Sequence, residues 1–251
     1  MIIYRTKWAA YILLSSLTVC FNIPPALLNV ELQKLHLPCD ESVWASQTPG
    51  IWLKGIASGH QLHLQLHQGL QILLSATPPP GNVSVFGTYV LLHALLEHIW
   101  TSRQNIWLEP GQLATCLEKA RIALGKWHAT WQANVESSVS PRNPYSAVTA
   151  NQAALLRLAY TWLGADFSPV RSSIASYDPT VIAHAFMQVC IPIDHTDTVL
   201  DIARHAVGAL KTRVKLGMAM REQRLRCFQS LEVHLFSIET CAYAPPYKPN
   251  R

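Results

Sequence analysis

The apolar positions recur with a helical period along most of the chain. The clearest stretch runs from about 112 to 134, where the apolar positions are Leu113, Leu117, Ala120, Leu124, Trp127 and Trp131. Residues three and four apart lie on one face of an α-helix. The stripe lasts only about three heptads and carries two tryptophans, which favours a core-facing helix over a coiled coil.

Weaker versions of the same pattern predict helices over 84–102 and 147–163, then from Asp178, from Thr196 and over 221–240. Asp178 and Pro179 form a start signal, because Asp caps a helix and Pro suits its first position, and Pro192 ends that helix. The recurring positions in chain order are Phe86, Val90, His93, Glu97 and Trp100; Ala154, Leu155, Leu158 and Trp162; Val181, Ile182, Ala185, Phe186 and Val189; Val199, Ile202, Ala203, Ala206 and Leu210; Leu225, Phe228, Leu231, Leu235 and Ile238. All but the first group are predicted to face inward.

The connecting segments carry residues that interrupt helices. Residues 77–82 include three consecutive prolines, and 137–145 is rich in Ser, Pro and Asn. No run of alternating apolar residues indicates a β-sheet. We therefore expect an all-α, multi-helix globular bundle with irregular Pro-rich connecting loops. Residues 1–241 are expected to form one domain, and 242–251 a divergent, disordered tail.

Composition supports a folded chain. Of 251 residues, 49% are hydrophobic and 14% are charged, which is the opposite of a disordered composition. The net charge of +5 is too small to indicate nucleic-acid binding without a concentrated patch. The cysteines are too scattered for a zinc knuckle or a redox motif, so we expect reduced, mostly buried thiols. They are Cys20, Cys39, Cys116, Cys190, Cys227 and Cys241.

The amino-terminal stretch permits two interpretations. Arg5 and Lys7 precede an uncharged run over 8–28, as in a signal peptide or a membrane anchor. Polar residues interrupt the run, and Pro24-Pro25 ends any helix about 16 residues after Lys7, short of the ~20 residues that span a bilayer. We favour a buried helix. The alternative is a secretory or membrane-anchored helical protein, in which the sequon at Asn82 would be used.

Two histidine groups are candidates for chemistry. His60, His63 and His67 share one helix face, as zinc ligands would, but no Cys or carboxylate completes a site. We interpret them as the polar side of a helix that has Leu62, Leu66, Leu70 and Leu73 on its other side. His93, Glu97 and His98 resemble part of a zinc-peptidase motif. In this chain, however, His93 and His98 are five positions apart, which places them about 140° from each other around a helix, so they point in different directions.

Other catalytic signatures are missing from the sequence: it has no Gly-rich phosphate loop, nucleophile elbow or paired carboxylates. We expect no catalytic, cofactor-binding or metal-ligating residues and no enzyme activity; a helical enzyme without a recognisable motif is the remaining class. The basic stretch over 204–226 is interpreted as a solvated helix face or loop. Its cations are Arg204, Lys211, Arg213, Lys215, Arg221, Arg224 and Arg226.

Four segments in order resemble the regulatory, or middle-homology, region of fungal zinc-finger transcription factors. The first is Trp8-Ala9-Ala10-Tyr11 through Pro24-Pro25, followed by Leu37-Pro38-Cys39-Asp40-Glu41-Ser42-Val43-Trp44, similar to the family's LPC-x-E-x-x-W. The others are Leu91-Leu92-His93-Ala94-Leu95-Leu96, then Ala153 to Tyr160, and lastly His205-Ala206, Val214 to Gly217, Ser230-Leu231 and Glu239-Thr240-Cys241. The likeness runs from about Arg5 to Cys241.

This resemblance implies a regulator of RNA polymerase II transcription that works in the nucleus. In such families Cys-Cys-His-His zinc fingers read DNA, so zinc and DNA contact belong to that separate module. The expected partners of this region are proteins of the transcription machinery, with no membrane contact. We also expect a truncated product without its own fingers, divergent after Cys241, that exposes apolar helix faces. Alone, it is not expected to bind DNA.

Overall fold

A computed structural model describes residues 2–57, 64–81, 83–134, 136–138, 143, 145–164, 166, 168–174, 176–188, 204 and 207. The chain divides into 1–207 and 208–251, and every described residue belongs to the first unit. The helices of the described part are α1 Ile2–Phe21, α2 Asn29–Leu32, α3 Glu41–Trp44, α4 Pro49–Ala57, α5 Leu66–Leu74, α6 Val85–Gln104, α7 Pro110–Ala133, α8 Ser146–Gly164, α9 Ser168–Ile174 and α10 Pro179–Gln188. In these ranges β-pairing is limited to one antiparallel bridge between His36 and Gln65. The all-α prediction is confirmed.

Helix α6 forms the centre of the first unit. It contacts α1, α5, α7 and α8, so it is covered on several sides. Its residues are buried almost without interruption from Val90 to Glu97. This arrangement explains why its sequence has no clean amphipathic stripe, because a helix that is enclosed has no polar face to show.

The predicted helix over 112–134 is confirmed as α7. Pro110 stands in its first turn, where the missing amide hydrogen costs nothing. The predicted stripe faces the core, and its two tryptophan rings, Trp127 and Trp131, stack with centroids 5.9 Å apart. Trp127 Nε1 also donates to the carbonyl oxygen of Thr88 on α6 at 2.7 Å.

Helix α8 lies where predicted, but part of its inward face was predicted wrongly. Ala154 is exposed, whereas Ala153, Leu156 and Ala159 are buried. The orientation follows from Gln152, which is fully buried and accepts from Trp131 Nε1 at 2.8 Å. Its amide nitrogen donates to the Val85 carbonyl oxygen and to Thr88 Oγ1. A pattern of apolar residues cannot reveal an inward position that is polar.

The amino-terminal stretch forms α1, a helix of the core. Trp8 and Tyr11 are completely buried, and Val19 is nearly so. The prediction of an internal, buried helix is therefore confirmed. Within the part of the chain that the structure describes, no helix is long and apolar enough to cross a membrane.

The start of α10 was predicted correctly and its apolar face in part, since Ala185 is buried as expected and Val189 lies outside the described residues. Asp178 Oδ1 accepts from the amide nitrogen of Thr180 at 2.8 Å, as a capping residue does. Val181 and Phe186 are nevertheless exposed, and Ala185 is the buried position. Among the described helices α10 packs mainly against the short helix α9.

The connecting segments agree in part with the sequence. Residues 75–84 are not helical where they are described, and Lys126 Nζ holds their start by donating to the carbonyl oxygens of Ser75 and Thr77. The burial part of the thiol prediction was wrong for the described cysteines: Cys20 is exposed, and Cys39 and Cys116 are part-buried. Of the predicted helix from Thr196 only Arg204 and Val207 are described, and both are exposed, while the predicted helix over 221–240 and the tail 242–251 lie outside the described residues.

The Ser84→Ala variant is expected to lose about 1–2 kcal/mol of unfolding free energy. Ser84 caps α6, because its Oγ accepts from the amide nitrogen of Gly87 at 2.9 Å and donates to the carbonyl oxygen of Pro38 at 2.6 Å. Urea unfolding followed by circular dichroism measures the change. Ser172→Ala is the control, since the Ser172 side chain is exposed and its hydroxyl donates to the Ser168 carbonyl oxygen within the same helix. Equal urea midpoints of unfolding for the two variants would show that the Ser84 cap does not stabilise the fold.

Candidate functional site

A group of polar side chains, buried except for the part-buried Asn29, joins α1, α2 and α6. We call it the polar junction and define it as Tyr11, Ser15, Asn29, His93 and Glu97. Tyr11 and Ser15 come from α1, Asn29 begins α2, and His93 and Glu97 are one turn apart on α6. Polar groups placed inside a core must find partners, because an unpaired one costs about 1–3 kcal/mol.

Glu97 is the acceptor at one end of the polar junction. Its Oε1 accepts from the amide nitrogen of Asn29 at 2.8 Å. The Tyr11 hydroxyl shares its one proton between Asn29 Oδ1 at 2.8 Å and Glu97 Oε2 at 3.2 Å. Asn29 Nδ2 also donates to the carbonyl oxygen of Ala94. Burial raises the pKa of Glu97, and the two hydrogen bonds oppose that rise. Glu97 therefore ties the start of α2 and the middle of α1 to the central helix.

His93 lies at the other end and is completely buried. Its Nδ1 is 2.9 Å from Ser15 Oγ, and the Tyr89 ring meets the imidazole edge-to-face at 4.9 Å. Burial lowers the pKa of His93 to about 3, so the ring is neutral at physiological pH. Its Nε2 has no hydrogen-bond partner among the described residues.

The polar junction has no room for a substrate. The narrow crevice beside it has no space for a water molecule. Its lining residues are Ser15, Thr18, Val19, Pro25, Leu96, Glu97 and Trp162. General acid or base catalysis requires the group to reach a proton on a bound molecule. His93 and Glu97 are shielded from any such molecule, so the arrangement holds helices together.

A second cluster surrounds Arg5 near the start of α1. We call it the arginine clamp and define it as Arg5, Glu41, Trp44 and Phe86. The guanidinium carbon lies 4.5 Å from the centre of the Trp44 ring and 5.3 Å from that of Phe86. A guanidinium nitrogen of Arg5 also bonds the Glu41 carboxylate. Two ring faces and an anion are the surroundings that a planar cation favours.

The segment from Leu37 to Trp44 reaches the arginine clamp by crossing the start of α6. A Cβ added to Gly87 would lie 2.9 Å from a Val83 methyl carbon and 3.5 Å from the Pro38 carbonyl oxygen. Glycine at this position therefore leaves room for the Val83 methyl group and for the Ser84 hydroxyl, which would be 3.0 Å away, whereas the Pro38 oxygen would be at an ordinary contact distance. Trp8 Nε1 fixes the chain just upstream by donating to the carbonyl oxygen of His36 at 2.9 Å.

The structure separates the histidine candidates. His67 is exposed on α5, where its Nδ1 lies 2.8 Å from the Gln33 carbonyl oxygen, whereas His60 and His63 lie outside the described residues. His98 is part-buried, and burial lowers its pKa. Within the described ranges, no three His, Cys, Asp or Glu side chains are grouped closely enough to hold a metal. Most of the basic stretch over 204–226 also falls outside the description.

A comparison with known protein families indicates the class of protein, which the geometry alone does not. Residues 166–244 match the fungal transcription factor C-terminal domain. This match supports a regulatory domain of a fungal transcription factor, which is the class that the sequence motifs indicate. Such domains are not typically enzymes. No curated protein and no solved structure shows significant similarity to the chain.

The family match and the described helices overlap only in part. The match begins just before α9 and includes α10, and most of it continues beyond the described residues. It contains the fourth of the resembling segments and leaves the earlier ones ahead of it. The polar junction and the arginine clamp therefore lie outside the matched region. The sequence placed His93 and Glu97 among the recurring positions of a helix and in a rejected metal motif, and gave no sign of their hydrogen bonds to α1 and α2.

The Tyr11→Phe variant is expected to lose about 1–2 kcal/mol of unfolding free energy, because it removes the hydroxyl that donates to Asn29 Oδ1 at 2.8 Å and lies 3.2 Å from Glu97 Oε2. Chemical denaturation at neutral pH gives the loss. The Glu97→Gln variant and the double variant complete a cycle that isolates the coupling of the two side chains. Additive effects would show that the 3.2 Å contact contributes nothing.

Proposed function

We propose that this chain is a regulatory and protein-interaction domain of a fungal RNA polymerase II transcription factor that works in the nucleus. The observation that carries the proposal is the match of residues 166–244 to the fungal transcription factor C-terminal domain. In this proposal DNA reading and its zinc belong to a separate finger module. The chain itself receives signals from partner proteins or passes them on.

The described surface carries single exposed apolar side chains. Leu13 is 67% exposed on the outer side of α1, and Trp107 is 84% exposed in the turn between α6 and α7. Single exposed apolar residues occur on most proteins, so the family match and not these positions supports an interaction role. The enclosed polar junction supports the same class, because its polar groups hold helices and none of them is open to a substrate.

A reporter assay tests the proposal directly. The chain is fused to a heterologous DNA-binding domain in a fungal host that carries a polymerase II reporter with the matching operator. We expect reporter output to differ severalfold from that of the DNA-binding domain alone, and deletion of 166–244 to abolish the difference. A stable, nuclear fusion that leaves output unchanged would contradict the proposal.

A gel-shift assay with the purified chain tests the division of labour. We expect no tight, sequence-dependent binding, because specific recognition needs side chains fitted to base edges and the proposed role gives these to the fingers. Random and operator-containing duplexes of equal length serve as matched probes, at several salt concentrations. A large preference for one sequence would place DNA reading in this chain.

A further inference from the structure

The first residue of α9 lies in a sequence that protein kinases recognise. Ser168 is followed by Pro169, and Arg171 stands at the third position after the serine. The chain has four Ser-Pro or Thr-Pro pairs, and only this one has a basic residue at the third position. Proline-directed protein kinases select a serine or threonine before proline, and one class of them also selects a cation at that third position. The sequence around Ser168 therefore fits this class of enzyme.

The start of α9 is within reach of another protein. Asp166 and Pro169 are exposed, and Ser168 between them is part-buried. Helix α9 has seven residues and, among the described helices, packs mainly on α10. A helix this short is marginal by itself, and a residue before proline favours the extended backbone that a kinase cleft holds. Opening the start of α9 exposes the buried Val170, a modest cost compared with unfolding the bundle.

The Ser168 hydroxyl links α9 to α1 and α6. Its Oγ accepts from Asn22 Nδ2 at 3.2 Å, and Asn22 Oδ1 accepts from Trp100 Nε1 at 2.9 Å. The amide nitrogen of Ser168 donates to Asp166 Oδ1 at 2.9 Å. Burial raises the pKa of the Asp166 carboxyl, but the hydroxyl and amide of Ser168 and the charge of Arg103 together lower it below its usual value. A carboxylate therefore lies directly beside the hydroxyl.

We propose that Ser168 is a phosphorylation site that controls how firmly α9 and α10 are held to α1 and α6. The γ-phosphoryl group of ATP is transferred to Ser168 Oγ. A new O–P bond forms, the bond between the γ-phosphorus and the ADP oxygen breaks, ADP leaves, and the hydroxyl proton passes to the catalytic aspartate of the kinase. The inference goes beyond the proposed function, because it assigns a modification to the beginning of the family-matched region.

A phosphate on Ser168 weakens the contacts of the start of α9. Asp166 bonds the amide nitrogen of the same residue, so its carboxylate and the phosphate are held within a few ångströms of each other. The phosphate carries a charge of about −1.5 to −2 at pH 7 and repels that carboxylate. The added group also crowds the oxygen that Asn22 contacts at 3.2 Å. The link from α9 to α1 and α6 is therefore lost.

Phosphorylation of the purified, folded chain tests the site. The probes are a cyclin-dependent kinase and ATP, and mass spectrometry maps the modified residue in the unmodified sequence, so the result does not depend on a variant that folds. We expect phosphate on Ser168, and severalfold lower incorporation in Ser168→Ala and in Arg171→Ala. Thr48→Ala is the matched control, because Thr48 is exposed and precedes a proline without a basic residue at the third position. No phosphate on Ser168, or unchanged incorporation in Ser168→Ala, would overturn the proposal.

Hydrogen exchange of the phosphorylated chain tests the consequence. Amides of α9 and α10 are expected to exchange severalfold faster after phosphorylation, whereas amides of α7 keep their rates. Asp166→Asn removes the repelling charge, so phosphorylation is expected to change its exchange much less. Equal exchange before and after phosphorylation, or an equal increase in Asp166→Asn, would overturn the proposal. Both tests use purified protein, so their failure is separable from failure of the reporter test.

Discussion

Replacing Trp127 by alanine should lower the free energy of unfolding by about 3–5 kcal/mol, the usual cost of removing a large buried aromatic ring. The Trp127 side chain is 1% exposed, and its ring stacks on that of Trp131. Its indole nitrogen also bonds the Thr88 carbonyl oxygen, so the variant loses both packing and a link between α7 and α6. Total stabilities are about 5–15 kcal/mol, so the variant should be close to unfolding.

Urea titration of the purified chain, with tryptophan fluorescence and circular dichroism as probes, measures this loss. The matched control is Trp107→Ala, which also replaces a tryptophan by alanine. Trp107 is 84% exposed, so this variant removes the same side chain from the surface. We expect the control to change the unfolding free energy by less than about 0.5 kcal/mol. Similar losses in the two variants would show that α7 does not pack on α6 as described.

Acid should destabilise the fold through His93. Burial lowers the pKa of His93 to about 3 in the folded chain, whereas an unfolded chain takes up that proton near pH 6.5. Between these values the unfolded state binds more protons, so the unfolding free energy falls as pH falls, by about 1.4 kcal/mol for each pH unit. Above pH 6.5 both states have a neutral ring, and the contribution is constant.

Glu97 works in the opposite direction, because burial raises the pKa of its carboxyl. As pH falls through that raised pKa, the folded state takes up the proton before the unfolded state and gains stability.

The His93→Gln variant isolates the effect of the histidine. Glutamine does not titrate and keeps a group able to bond Ser15, so the contribution of Glu97 and of other groups common to both proteins cancels when their unfolding free energies are subtracted. We expect the difference in unfolding free energy between the two proteins to change with pH below 6.5. Parallel curves from pH 7 to pH 4.5 would contradict the burial of a neutral imidazole.

The helices could be predicted where apolar spacing alone fixes the inward face. On α7 the stripe from Leu113 to Trp131 is simple, and the structure places it towards the core. On α8 the buried Gln152 shifts the inward face by one position, so the exposed Ala154 was placed wrongly. The hydrogen bonds that make Gln152 an interior residue come from α6 and α7, and local spacing contains no information about them.

The two clusters were beyond sequence reasoning for a related reason. Arg5 and Glu41 are 36 positions apart in the chain, and His93 and Ser15 are 78 apart. The segment that resembles LPC-x-E-x-x-W drew attention to Glu41 and Trp44, but spacing could not show that a cation from α1 lies between rings of α3 and α6. Such contacts become visible only when the helices are placed in three dimensions.

The central position of α6 has a consequence for the order in which the chain acquires structure during synthesis. Its neighbours α1 and α5 emerge from the ribosome before it, and α7 and α8 emerge after it. Until residue 164 has left the ribosome, the sides of α6 that α7 and α8 later cover remain in water. The nascent chain therefore exposes the apolar segment of α6 for about 60 residues of elongation, which takes several seconds at ordinary translation rates. Chaperones have that interval in which to bind it.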